Sequence, residues 1–107
     1  MDQPVHAAAF NAAGTVDVRI QDFDFALAEI RIPIGTTVRW QNFGDFARTV
    51  TSVAPAEEFD SGALSPNQTF QRQFTKPGIY AYHCSIHLSM TGKVTVVARV
   101  FLPLVIR

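Results

Sequence analysis

Apolar residues recur at every second position along most of this chain, and that period fits strands far better than helices. Val16, Val18 and Ile20 alternate with polar neighbours, and Ile30, Ile32 and Ile34 repeat the spacing. Successive side chains of a strand point to opposite faces, so each set reads as the buried face of a half-buried strand. Gly35-Thr36-Thr37 then turns the chain into Val38-Arg39-Trp40, and Thr49 to Val53 is a further β-branched run. Phe70 and Phe74 share one strand face, Pro77-Gly78 opens a strand from Ile79 to Cys84, and Lys93 to Val97 closes the pattern. No stretch keeps a helical period for three turns. The expectation is an all-β sandwich of seven or eight short strands in two packed, mainly antiparallel sheets. Trp40, Phe70, Phe74, Tyr80 and Tyr82 supply its core and rim aromatics.

A chain of 107 residues supports one domain with one core. The alternation places that domain at 15–99, after a weakly patterned leader at 1–14 and before an apolar tail at 100–107. The tail is too apolar to be left in water at no cost. It packs on the sandwich, pairs with a second copy as a weak homodimer, or leads to a membrane anchor outside this sequence. Nine basic residues balance nine acidic ones. With no basic run to neutralise phosphates, a nucleic-acid partner is excluded, and so is strong steering of a charged one. The stretch from Val94 to Arg107 is shorter than the roughly 20 residues that span a bilayer, and Arg99 and Pro103 interrupt it. One cysteine allows neither an intrachain disulfide nor a four-cysteine zinc site. A lone cysteine is ordinarily a small buried hydrophobe.

The neighbours of this cysteine argue otherwise. In Tyr82-His83-Cys84-Ser85-Ile86-His87-Leu88-Ser89-Met90 a thiolate, an imidazole and a thioether follow one another directly after a strand. Thiolate and thioether favour Cu(I), imidazole accepts both oxidation states, and Cu(II) tops the divalent affinity series. The spacing Cys-x2-His-x2-Met lets one loop aim three donors at one point. Copper is the metal that suits them, with Cys84, His87 and Met90 as candidate ligands.

Phe59-Asp60-Ser61-Gly62, then Phe74-Thr75-Lys76-Pro77-Gly78-Ile79-Tyr80-Ala81-Tyr82-His83-Cys84, then Cys84 to Met90 with Gly92 and Val94, resemble the plastocyanin/amicyanin branch of the cupredoxins. Asp22-Phe23-Asp24-Phe25 and Gly35 to Asn42 match the same family's early strands, and the loop length is closer to amicyanin. The similarity runs from about residue 15 to residue 97. It implies a cupredoxin-like Greek-key sandwich and one type 1 copper, with Cys84 and His87 equatorial and Met90 axial. It also implies one-electron transfer without enzymatic activity, a redox partner protein, and an extracytoplasmic (periplasmic, secreted or cell-surface) location for a mature chain without signal peptide.

The family's other histidine stands six residues after the asparagine of the Trp-x-Asn segment and before Thr-Val; here that place is Arg48. Guanidinium stays protonated and has no lone pair to give a metal. Its charge beside the metal disfavours Cu(II), and the missing imidazole leaves a gap for water or an anion. Asp45 pairs with Arg48 or is a turn residue, Leu88 stands where the family often has proline, and Glu57-Glu58 reads as a solvated loop. His83 adjoins Cys84 on a strand and so faces the opposite way; with Ser85 beyond it, no second copper centre of the nitrite reductase or multicopper oxidase kind is expected. His6 lies in the leader. Three readings remain open: an electron carrier, a Cu(I)-binding trafficking or sensing module, and a metal-free scaffold in which Cys84 is merely buried.

Overall fold

Alternation becomes two sheets in the computed structural model, which describes residues 14–53 and 59–98. The seven strands are β1 (Thr15–Ile20), β2 (Glu29–Pro33), β3 (Thr37–Asn42), β4 (Thr51–Ser52), β5 (Thr69–Gln73), β6 (Gly78–His83) and β7 (Thr91–Val97). Among the described residues there is no helix. One sheet has the order β1-β3-β5 and the other β2-β7-β6-β4. The seven-strand sandwich is thus borne out. Antiparallel pairing holds for β3 with β5, β4 with β6, and β6 with β7, while β1 lies parallel to β3 and β2 parallel to β7. The run from Thr49 to Val53 keeps only Thr51 and Ser52 as strand, because the preceding residues bond to loops instead. The leader to residue 13, Glu57-Glu58 and the tail from Arg99 lie outside the described residues.

The inward parity of each strand builds a single core. Val18 and Ile20 of β1, Val38 and Trp40 of β3, Ile32 of β2, Tyr80 and Tyr82 of β6, and Val94 and Val96 of β7 are all buried in one cluster. Trp40 of the three-stranded sheet meets Tyr82 of the four-stranded sheet edge-on, with ring centres 5.4 Å apart. Phe59, Phe70 and Phe74 complete the aromatic layer around them. Such pairs add about 0.5–1.5 kcal/mol beyond the area they bury. The expectation for these aromatics therefore holds, with Phe70 half-buried at the rim.

Three connections meet at one pole. The Phe43 N–H donates to the Ile20 carbonyl at 2.8 Å, tying the end of β3 to the end of β1. The Asp45 N–H donates to Asp22 Oδ1 at 2.6 Å, and the Thr49 N–H reaches Cys84 Sγ at the end of β6. Loops 21–28, 43–50 and 84–90 are thus joined to one another.

Candidate metal centre

Asn42 organises this pole. It follows Val38 and Trp40 on the inward face of β3 and is fully buried, so each of its polar atoms needs a partner. Its amide donates to the Phe46 carbonyl at 2.8 Å and the Leu64 carbonyl at 2.9 Å, and its oxygen accepts the Gly44 N–H at 2.8 Å. One side chain thereby fixes the loop that leads to Arg48. A polar residue at an inward position of an alternating strand is a readable signal of such a role, and sequence reasoning had used Asn42 only to count forward.

Cys84 and Met90 are both buried, and His87 is partly exposed. The loop that carries them is closed by its own backbone: the Cys84 N–H donates to the Met90 carbonyl at 3.0 Å, and the Met90 N–H to the His87 carbonyl at 2.9 Å. The thiol sulfur of Cys84 accepts the Thr49 N–H at 3.3 Å. Thr49 reinforces the link, since its Oγ1 accepts the Ser85 N–H at 2.7 Å and lies 3.1 Å from Ser85 Oγ. These contacts close the backbone of the loop that carries the three expected donors, anchored on the strand pair β6–β7. Among the described residues no three His, Cys, Asp or Glu side chains gather as a metal cluster. A thioether such as that of Met90 is a donor that favours soft ions.

Arg48 is buried, as a ligand at its place would be, yet its guanidinium is occupied otherwise. Nη2 donates to the Asp22 carbonyl and Nη1 to the Ala47 carbonyl at 3.3 Å. The guanidinium carbon lies 5.9 Å from the centre of the Phe23 ring and 5.8 Å from that of Phe46. Phe23 in turn meets the His87 imidazole edge-on at 5.9 Å. Asp45 is exposed and gives its N–H to Asp22, the turn role, and Arg48 forms no ion pair among the described residues. The parts played by Phe23 and Phe46 were invisible in sequence, because neither residue follows the strand period. His83 lines a groove on the other face of its sheet with Glu29, Thr91 and Lys93, as its parity opposite Cys84 requires.

A thiol, an imidazole and a thioether on one loop are donors of the kind that copper takes, and Arg48 has no lone pair to add to them. A two-sheet β-sandwich with a soft-donor loop between its last two strands is the architecture of a cupredoxin. Residues 12–97 match the model of the copper binding proteins, plastocyanin/azurin family, and the chain belongs to that family. It is 33% identical over 87 residues to amicyanin-alpha of Methylorubrum extorquens, covering 78% of this chain and 73% of that one. Among solved structures, a reduced amicyanin variant superposes with a TM-score of 0.74 at 29% identity, over 82% of this chain and 90% of that one. A purple cupredoxin from Nitrosopumilus maritimus gives a TM-score of 0.71 at 26% identity, over 77% and 99% of the two chains.

Proposed function

We propose that this cupredoxin holds one copper through Cys84, His87 and Met90 and carries single electrons to or from a protein partner outside the cytoplasm. The observation that supports it is the closed loop from Cys84 to Met90, with the Cys84 sulfur bonded to the Thr49 N–H. Copper supplies the one-electron couple; the chain supplies its setting. Burial of Cys84 and Met90 excludes water from the soft donors. His87 is partly exposed and leaves a route to the surface through its ring. Around it Phe23, Phe46, Ile86 and Leu88 stand well exposed, an apolar rim on which a partner can dock by excluding water. Zero net charge gives that encounter little long-range attraction.

Arg48 favours a second reading, a Cu(I)-holding module that does not cycle, because a fixed cation opposes the higher oxidation state. Metal analysis and a visible spectrum after loading with Cu(I) or Cu(II) separate the two. An electron carrier retains one copper and absorbs intensely as Cu(II); a colourless protein with one retained Cu(I) supports the module; no retained metal sinks both. Arg48→His is expected to supply a second imidazole and produce intense thiolate-to-copper absorption. If the folded variant stays colourless with Cu(II), electron transfer is the wrong reading of this loop.

A further inference from the structure

Arg48 is a buried cation with unspent hydrogen-bonding capacity. A guanidinium has five N–H donors, and among the described residues this one gives hydrogen bonds only to the carbonyls of Asp22 and Ala47. Its Nε is buried without a hydrogen-bond partner among the described residues. The residue as a whole is 5% exposed, and it forms no ion pair among the described residues; the Asp22 carboxylate accepts the Asp45 N–H. Buried charges without a counter-charge are costly and rare. Two contacts place this one beside the donor loop. The next residue, Thr49, holds Cys84 Sγ, and the Phe23 ring touches both the guanidinium and His87.

Charge counting then shows what loading does. A thiolate bound to Cu(I) forms a neutral pair, and bound to Cu(II) a pair with one positive charge, so metal binding by these donors leaves the Arg48 charge unanswered by them. The other two side-chain donors add nothing further, since imidazole and thioether are neutral.

We infer that the copper pole is also an anion site: a small monodentate anion enters with the metal, ligates it, and is held by the Nε–H of Arg48. The inference rests on the three-donor copper reading above. No electron moves and no bond breaks in the protein; the anion replaces solvent at the metal and answers the guanidinium charge. Arg48 is then a ligand-recruiting residue rather than a defect in the site.

Bromide is the probe, because it scatters X-rays strongly and can be seen at copper in either oxidation state. Wild-type protein loaded anaerobically with one Cu(I) is exchanged into bromide, or into perchlorate of equal ionic strength, and its copper-edge absorption fine structure recorded. A bromine shell at copper is expected in bromide. In Arg48→Gln its bromide dependence should weaken by about tenfold or more, the worth of a charge-assisted hydrogen bond. In Arg48→His the shell should vanish as imidazole takes the position. Wild type that retains copper without a bromine shell overturns the anion site and leaves the copper reading standing. So does an equal bromide dependence in wild type and Arg48→Gln, which would assign the anion to copper alone. Wild type that retains no copper removes both. If Arg48→Gln does not fold, Arg48→Met carries the same comparison.

Discussion

Tyr82 takes its phenol into the core between Phe25 and Trp40, whose ring centres lie 4.9 and 5.4 Å from its own. Burial disfavours the phenolate and pushes its pKa up from 10.0 to about 12. The Trp40 indole pulls weakly the other way, from a position that leaves its own N–H without a hydrogen bond. A raised folded-state pKa means the unfolded chain loses its proton first. Stability is therefore intact below pH 10 and falls as pH rises from 10 towards 12, by about 1.4 kcal/mol per unit. Denaturant midpoints measured across that range should fall steeply in wild type and less in Tyr82→Phe; parallel curves would remove Tyr82 as the cause. At this scale the sequence was informative about Arg48, whose chemistry follows from residue type alone. It was silent on Phe23 and Phe46, because contacts across loops obey no period.

β6 and β7 show how an element carries a residue's demand. Tyr82 pairs with Gly92 in their antiparallel register, and a Cβ at Gly92 would lie 2.2 Å from Tyr82 Cζ. Glycine is needed there for the close approach of a ring. Gly92→Ala must displace Tyr82 and is expected to cost about 1–3 kcal/mol or more. In a double-mutant cycle with Tyr82→Leu the two losses should be less than additive, because removing the ring removes the clash. Strict additivity would place the strain elsewhere. Strand existence was legible from alternation in β1, β2, β3, β6 and β7. Partner choice was not: nothing in the inward residues of β1 says that its neighbour β3 runs parallel, since the period is the same in either direction. β4 shrank to two residues because Arg48, Thr49 and Val50 spend their backbone or side-chain hydrogen bonds on Leu64, Cys84, Ser61 and Ser85, which β-branched composition does not reveal.

For the whole molecule, β7 is the keystone, flanked by β2 on one side and β6 on the other. It also closes the donor loop, since Met90 directly precedes it. A chain ending at Met90 should show no cooperative unfolding transition and retain no copper; a folded, metal-retaining product of that length would show that β2 and β6 suffice. The parallel pairing of β2 with β7 joins Glu29 to Lys93, residues far apart in sequence, and this separation acts through time. At roughly 5–20 residues per second of synthesis, β2 waits several seconds for its partner. Throughout that wait Cys84 has either not been made or lies on an open loop. A Cys84 thiol made before β7 therefore stays outside the closed loop until the last strand pairs.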